Sequence, residues 1–326
     1  MKIAITGSTG HIATSVIPLL TGNENLVRTL QHTYEPAFKN PHTEIFNGDL
    51  SNPLTLNGLV DGCDVVLHCA ARISINSNAD PLVYETNVNG TINIYNAAKK
   101  AGVKRFIYVS SIHAYHQLPV SAILNEQKAY CTISAPNYDQ TKRDAQKYVL
   151  ENANAAMEVV VVNPTCVIGP PDPRPSLMGK AIIDMYNKKI PSLINGGFDF
   201  CDVRDVAQGI VQAIDKGRNG ESYLLSGKWY SLAALYTLIM NFKHEQSNIP
   251  VLPAWLAYLG LPFIQLMAVI KKQEPLYTKE SLGALLHGNK NISYAKAMNE
   301  LGYSCRPLAE TVSDAINWYR ESGMLV

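Results

Sequence analysis

A tyrosine and a lysine stand four positions apart in the stretch "NYDQTKRDAQ", as Tyr138 and Lys142. Residues at this separation lie one above the other on a helix, so a phenol and an ammonium can share one small volume. A phenol titrates at about pH 10 in water, and a neighbouring positive charge favours its anion. The pair therefore predicts a general acid/base at Tyr138. A solvated helix face has the same spacing, so the rest of the chain must decide between the two interpretations.

A second motif, "ITGSTGHIATS", places Gly7 and Gly10 where a strand runs into a helix. Glycine permits a tight bend there and lets a pyrophosphate approach the backbone. The free amides at the helix start, where His11 and Ile12 stand, bind its charge. Ala13 is small enough to let the helix pack on the sheet. The spacing departs from the Gly-x-Gly-x-x-Gly fingerprint, which leaves a purely structural turn as the alternative to the predicted dinucleotide site.

The first half of the chain alternates short apolar runs with longer amphipathic ones, and these elements position both motifs. The predicted strands are "KIAIT", "LVRTL", "TEIFN", "DVVLHCA", "RFIYVSS" and "EVVVVNP". The predicted helices include "HIATSVIPLL", "NVNGTINIYNAAKKAG" and "YDQTKRDAQKYVLENA". This alternation indicates an α/β fold with a parallel, doubly wound Rossmann sheet. Ligands bind beyond the carboxyl ends of such strands, where Ser110, Ser111 and the start of the Tyr138 helix are expected to meet.

The pattern changes after Pro164, where "TCVIGPPDPRPS" reads as a proline-rich loop and the remainder is mostly helical. The strand-like stretches "FDFCDV" and "ESYLLSG" interrupt it. We predict a dinucleotide-binding domain from residues 1–165 plus 199–227. Residues 166–198 plus 228–326 are predicted to form a smaller, mostly helical substrate lobe.

The motifs together resemble one family. The stretches "TGSTGHIA", "GDL", "HCAA", "TNVNGT", "VSSIHAY", "YDQTK" and "NPTCVIGP" follow the order typical of extended short-chain dehydrogenases/reductases, the epimerase/dehydratase superfamily. "DVRDVA" and "LGYSCRPLAETVSDAINWY" extend the likeness to nearly the whole chain. Within that family the sequence most resembles dihydroflavonol-reductase-like and 3β-hydroxysteroid-dehydrogenase-like proteins. The resemblance implies that Tyr138 is the catalytic acid/base, that Lys142 binds the nicotinamide ribose and that Ser111 hydrogen-bonds the substrate oxygen.

The resemblance also implies a set of cofactor contacts along the carboxyl edge of the sheet. Besides Tyr138 and Lys142, these are Gly7, Gly10, His11, Ile12, Gln31, His32, Asp49, Leu50, Ala70, Ala71, Asn87, Pro164 and Thr165. A helix-capping or water-holding role suits Asn87 equally well, because its side chain favours local backbone bonds. Asp49 could equally cap the next helix.

The choice of cofactor depends on the end of the second strand. An Asp or Glu about 20 residues beyond the glycines normally holds the 2′-hydroxyl of NAD. Here the stretch is "LVRTLQHTYEP", with Gln31 and His32 at the tip and no acid before Glu35. We therefore predict NADP in preference to NAD, with Arg28 or His32 as candidates to approach the 2′-phosphate.

Composition limits the class of partner. The chain has 326 residues, of which 47% are hydrophobic, and a formal net charge of +1. Phosphate backbones require concentrated Lys and Arg, so nucleic acid is not expected as a partner and a small ligand is. Six scattered cysteines without a CxxC pair predict reduced thiols in a cytoplasmic protein. The glycines come too early for the apolar stretch of a signal peptide.

One segment is unusual because no charged residue lies between Glu245 and Lys271. Its length would allow a bilayer span, but Pro250, Pro253 and Pro262 interrupt it. We predict one or two short helices that cover an apolar cavity, with membrane contact as the less favoured alternative. The candidate pocket residues, which could equally be core, are Trp255, Tyr258, Leu261, Phe263, Leu266 and Met267.

Local departures from the family pattern favour one reaction among several. Family dehydratases place two acids directly after the catalytic hydroxyl, where this chain has Ile112 and His113. Pro164 and Thr165 look more like the reductase branch than like the nucleotide-sugar enzymes. We predict an NAD(P)-dependent reductase or dehydrogenase of a hydrophobic ketone, aldehyde or secondary alcohol. A nucleotide-sugar epimerase and a non-catalytic dinucleotide sensor are the alternatives, since fold alone does not settle function. The resemblance also allows a homodimer.

Overall fold

The computed structural model describes residues 1–31, 41–74, 80–271 and 278–325. In these ranges the strands are β1 (Lys2–Thr6), β2 (Leu26–Gln31), β3 (Thr43–Asn47), β4 (Val65–His68), β5 (Arg105–Val109), β6 (Glu158–Pro164), β7 (Cys166–Ile168), β8 (Leu193–Ile194), β9 (Gly197–Asp202), β10 (Glu221–Leu225), β11 (Lys228–Ser231) and β12 (Val251–Leu252). The α-helices are α1 (His11–Gly22), α2 (Pro53–Val60), α3 (Pro81–Tyr84), α4 (Gly90–Lys100), α5 (Asn137–Glu151), α6 (Leu177–Tyr186), α7 (Val203–Lys216), α8 (Leu232–Phe242), α9 (Ala254–Lys271), α10 (Lys279–His287), α11 (Ala295–Leu301) and α12 (Leu308–Glu321). A π-helical turn over Glu85–Asn89 leads into α4, and a 3-10 turn over Ile112–Ala114 follows β5.

Among the residues described, the main sheet has seven strands in the order β10-β6-β5-β4-β1-β2-β3. Every neighbouring pair is parallel, and Ile3 of β1 stands opposite both Val27 and Val65. The predicted parallel, doubly wound sheet is therefore confirmed. The chain moves outward from β1 in one direction to β2 and β3, and in the other direction to β4 and β5. Ligands in such sheets bind at this reversal, beyond the carboxyl ends of β1 and β4.

The strands alternate their side chains between two separate cores. Ile3 and Ile5 pack with α1 and α7 on one face, whereas Ala4 packs with α2, α4 and α5 on the other. This period of two follows from the pleat of a strand, and burial on both faces requires the nearly continuous apolar runs that the sequence shows. Each fully buried aliphatic side chain contributes about 1.5–3 kcal/mol relative to an exposed one.

The second half of the chain forms another apolar core. Side chains from α6, α8, α12, β8 and β9 share it. β7, β9 and β11 make a three-stranded sheet beside it, and β8 pairs with β12. The predicted strands "FDFCDV" and "ESYLLSG" both form, as β9 in the small sheet and β10 at the edge of the main sheet. The division into two domains stays a prediction.

The uncharged segment forms the short strand β12 and then one helix, α9, with Pro262 inside it. Trp255 and Tyr258 are 61% and 39% exposed, whereas Leu261 is 9% exposed and packs on the second core. Because both side chains are exposed, the alternative that Trp255 and Tyr258 are core residues is wrong, and their role as pocket residues stays a prediction. The side chains of Phe263, Leu266 and Met267 lie outside the described part of the structure. Among the residues whose placement is described, no helix has both the length and the apolar character that a bilayer span needs.

Candidate active site

The glycine turn lies between β1 and α1, as predicted. Gly7 has a φ of +71°, and a Cβ built there would lie 2.6 Å from the backbone nitrogen of Ala70. Only glycine allows this conformation and this approach. Gly10 donates its backbone N–H to the Gly7 carbonyl oxygen at 2.9 Å and caps α1 without a side-chain bond. The first turn of α1, with His11 and Ile12, contains no acidic residue, so no side chain of that turn neutralises the positive end of the helix dipole.

A buried histidine links this turn to the neighbouring strand and helix. The Thr91 hydroxyl donates to the Asn87 carbonyl oxygen at 2.6 Å, so it accepts its other bond, of 2.9 Å, from His68 Nε2–H. His68 Nδ1 then accepts from the Thr6 hydroxyl at 2.6 Å. Burial, and secondarily the charge of Lys142, lower the pKa of His68 to about 3, so it is neutral. No role was predicted for His68, although a histidine within the apolar run "VVLHCA" was the available signal.

The side chain of Asn87 holds the segment that follows β4. Its Oδ1 accepts from the Arg72 backbone N–H at 2.7 Å, and its Nδ2 donates to the Arg72 carbonyl oxygen and to the Thr141 hydroxyl, both at 3.0 Å. The predicted cofactor contacts Ala70 and Ala71 directly precede Arg72. These partners lie 15 and 54 positions away, so the amide makes long-range bonds and not the local backbone bonds expected of a helix cap, while its contact with the cofactor stays a prediction.

The three predicted catalytic residues come together at the carboxyl end of β5. Lys142 is 2% exposed, and its Nζ donates to the Val109 carbonyl oxygen at 3.1 Å. Burial lowers the pKa of Lys142 to about 8. Ser111 begins the 3-10 turn, where its Oγ accepts from the His113 backbone N–H at 3.2 Å, and its side chain is close enough to Tyr138 to lower the pKa of the phenol in part.

The electrostatics of Tyr138 differ from the expectation. Burial raises the pKa of the phenol well above its ordinary value, the nearby Ser111 side chain lowers it in part, and the Asp139 carboxylate raises it further. We expected Lys142 to favour the phenolate, and in this structure desolvation outweighs any such effect. Tyr138 is therefore a neutral proton donor at neutral pH.

The tip of β2 carries the predicted specificity residues. Gln31 ends β2 and is 5% exposed, and His32 lies outside the described residues. Arg28 lies further back on the strand, where its guanidinium donates to Glu44 Oε2 at 2.6 Å and to the Asp61 carbonyl oxygen at 2.7 Å. The prediction that Arg28 could approach a 2′-phosphate is wrong, because these bonds fix it between β3 and the end of α2.

Asp49 and Leu50 lie directly after β3. Asp49 Oδ1 accepts from the Ser51 backbone N–H at 2.6 Å, while Asn52 supplies the side-chain cap of α2. The alternative prediction, that Asp49 caps this helix, is therefore wrong. The Leu50 carbonyl oxygen accepts from Asn93 Nδ2 at 2.9 Å, which joins this loop to α4.

Two further predicted cofactor residues connect to the second half of the chain. The hydroxyl of Thr165, next to Pro164 at the end of β6, donates to Asp199 Oδ1 at 2.7 Å. The Gly227 backbone N–H donates to the same oxygen at 2.8 Å, and burial raises the pKa of Asp199 to about 6. The sequence analysis missed Asp199, because only the fold brings β9 to the end of β6.

The predicted cofactor residue His11 makes a similar connection. Its Nε2 lies 2.7 Å from the Gly169 carbonyl oxygen, which follows β7 in the proline-rich loop. The imidazole thus joins the start of α1 to that loop. The part of His11 that remains for an anion is its backbone amide at the helix start.

The chain was compared with known proteins. The family model described as the NAD dependent epimerase/dehydratase family matches residues 3–226. Sterol demethylase protein B of Methylococcus capsulatus is 27% identical over the full length of both chains. A putative dihydroflavonol 4-reductase of Synechocystis is also 27% identical, over 98% of this chain and 94% of its own. The crystal structure of gox2253 superposes with a TM-score of 0.83 at 29% identity, over 99% of both chains. The chain therefore belongs to the NAD-dependent epimerase/dehydratase family, within the extended short-chain dehydrogenases/reductases.

Proposed function

We propose that this protein is an NAD(P)-dependent oxidoreductase that interconverts an apolar ketone or aldehyde and the corresponding alcohol, with Tyr138 as the acid/base. One observation carries the proposal. Ser111, Tyr138 and Lys142 meet at the carboxyl end of β5, on the same edge of the sheet as the glycine turn. A non-catalytic dinucleotide sensor would not need all three side chains.

The residues at the edge of the sheet fit a dinucleotide. Gly7 and Gly10 leave the backbone open to a pyrophosphate, and the amides of His11 and Ile12 supply the matching positive dipole. Asp49 and Leu50, after β3, are proposed to hold the adenosine, and Lys142 is proposed to hold the nicotinamide ribose. When bound, the nicotinamide accepts or supplies the hydride.

Tyr138 handles the proton in either direction. In reduction, its phenol keeps its proton until charge develops on the substrate carbonyl oxygen, and then donates it to that oxygen. The Ser111 hydroxyl donates a second hydrogen bond to the same atom, which stabilises the developing negative charge. In oxidation, Tyr138 must first lose its own proton to solvent, and the phenolate then accepts the proton of the alcohol. Lys142, held by the Val109 carbonyl oxygen, keeps a positive charge near the ribose.

The finer assignments concern the cofactor and the substrate. NADP is proposed over NAD because Gln31, and not an acid, ends β2. An apolar substrate is proposed because the full-length relatives are named for a sterol and for a dihydroflavonol.

A substrate panel tests the proposal. Apolar ketones and aldehydes would each be incubated with NADPH and with NADH while nicotinamide absorbance is followed, and UDP-sugars would be incubated with NAD⁺ and with NADP⁺ while the sugar products are analysed. We expect oxidation of NADPH with an apolar carbonyl, and its loss in Tyr138→Phe. Interconversion of UDP-sugars without net change in the cofactor would instead establish the epimerase alternative.

A further inference from the structure

A histidine and an aspartate form an ion pair against the catalytic tyrosine. His113 Nδ1 lies 3.2 Å from Asp139 Oδ1, and the His113 and Tyr138 rings meet edge to face with their centroids 6.0 Å apart. The side chains of His113 and Asp139 are 32% and 15% exposed. The pair therefore packs against the ring of Tyr138 and has access to solvent.

Local structure explains the contact. The Ser111 hydroxyl accepts from the His113 backbone N–H and so begins the 3-10 turn that follows β5. Asp139 follows Tyr138 in the first turn of α5, where a carboxylate also suits the helix dipole. Two residues of the catalytic trio thus each have one member of the pair as a near neighbour in the chain.

We propose that the His113–Asp139 pair tunes how firmly Tyr138 holds its proton, so that His113 and Asp139 are positioning residues for the oxidoreductase reaction. The inference rests on the proposed function, since Tyr138 must be the acid/base. The pair has no net charge when His113 is protonated and a charge of −1 when it is not. A more negative neighbour disfavours the phenolate.

The charges around Tyr138 agree with this direction. The Asp139 carboxylate raises the pKa of Tyr138. Burial lowers the pKa of His113, but attraction and a hydrogen bond from Asp139 raise it by more, so it lies above its ordinary value. As pH rises through that pKa, His113 loses its proton, Asp139 is no longer neutralised, and Tyr138 holds its own proton more firmly.

The other titratable groups near the pair do not replace it. Burial raises the pKa of Cys131, which lies near Asp139, to about 11, so this thiol stays neutral. Arg143 is engaged elsewhere, with its guanidinium 2.7 Å from Asp144 Oδ1 and 3.1 Å from the Cys131 carbonyl oxygen. Lys142 is turned to the buried side, toward the Val109 carbonyl oxygen.

Two substitutions separate this tuning from a packing role. His113→Gln leaves the −1 charge of Asp139 unneutralised, whereas Asp139→Asn leaves a neutral site, because His113 is expected to lose its proton once the carboxylate that holds its charge is gone. In single-turnover oxidation of an alcohol, His113→Gln should be about tenfold slower than the wild type below the pKa of His113 and equal above it. The oxidation rate of Asp139→Asn should equal the wild-type rate below the wild-type pKa of His113 and should be about tenfold higher above it.

Asp144→Asn is the matched control, because it removes another carboxylate of α5 that is paired with Arg143. The ratio of its oxidation rate to the wild-type rate should be the same at every pH. The inference is overturned if both test variants lose rate by a factor that does not depend on pH, since that is the behaviour of damaged packing.

A titration of the imidazole by nuclear magnetic resonance gives a readout without turnover. His113→Gln identifies the resonance of His113, and Asp139→Asn should lower its pKa. If it does not, Asp139 does not hold the charge of His113 and the inference fails. A wild type that turns over nothing in the substrate panel would count against the proposed function, whereas the titration would still decide whether the pair is coupled.

Discussion

The Asn87 amide donates to the Thr141 hydroxyl at 3.0 Å, and that hydroxyl donates in turn to the carbonyl oxygen of Tyr138 at 2.8 Å. Because Asn87 also binds both backbone groups of Arg72, a continuous path of hydrogen bonds joins the segment after β4 to the first turns of α5. The glycine turn packs against the same segment at Ala70. The cofactor edge and the catalytic helix are therefore held in one frame.

Asn87→Ala should destabilise the fold. The substitution removes two bonds to the backbone of Arg72 and the bond to the fully buried Thr141 hydroxyl, and a buried polar group left without its partner costs about 1–3 kcal/mol. Denaturant unfolding followed by circular dichroism measures the change. Asn89→Ala, which removes only an exposed bond to Glu85, is the control and should cost less than about 0.5 kcal/mol. Equal losses in the two variants would contradict the role assigned to Asn87.

Tyr138→Phe should lower turnover at least a hundredfold, because general acid/base catalysis contributes about that much or more. Dinucleotide affinity should change little, since the ring is kept. Lys142→Met should weaken dinucleotide binding as well. Fluorescence titration and steady-state kinetics would measure both effects. More than about a tenth of the wild-type rate in Tyr138→Phe would argue against the acid/base role.

Gln31→Asp should shift preference from NADP to NAD. A carboxylate at the end of β2 would repel a 2′-phosphate and accept from a ribose hydroxyl. Calorimetric titration with both dinucleotides provides the comparison, with Gln31→Asn as a neutral control. If the wild type already binds NAD as well as or better than NADP, the proposed preference is wrong.

Alanine substitutions at two leucines of α9 should lower the stability of the protein by different amounts, although the two residues lie only two positions apart. Leu261 is 9% exposed and Leu259 is 71% exposed. Leu261→Ala opens a cavity in the second core and should cost about 2–5 kcal/mol, whereas Leu259→Ala should cost less than about 0.5 kcal/mol. Thermal unfolding of the two variants measures this. A similar cost for both would mean that the outward face of α9 is covered.

Asp199→Asn should flatten the dependence of stability on pH. Burial raises the pKa of Asp199 to about 6 in the folded state, above its unfolded value. The protonated carboxyl therefore contributes fully to the free energy of unfolding only below about pH 4, and this contribution is lost as pH rises through about 6. The loss is up to about 3 kcal/mol. Thr165 and Gly227 both donate to Oδ1, which asparagine retains. Unfolding free energies at several pH values would test this, and parallel curves for the two proteins would refute it.

The amino-acid sequence by itself determined the elements and the chemistry they carry. Each strand of the Rossmann half was predictable, because a strand buried on both faces needs a continuous apolar run. The glycine turn was predictable because Gly7 must adopt a positive φ, and the Tyr138–Lys142 pair because helical spacing is local. These inferences succeed since periodicity and backbone freedom are properties of neighbouring residues.

Only the tertiary structure decided which groups remain available and how they are charged. Long-range hydrogen bonds engage the side chains of Arg28, Asn87, Thr165 and His11. Their partners lie 15 to 158 positions away in the chain, on elements that the fold brings together. The raised pKa of Tyr138 depends on how deeply the phenol is enclosed, and the outward face of α9 depends on where the second core ends. Burial and long-range hydrogen bonding are set by packing between distant segments, so local patterns carry little information about them.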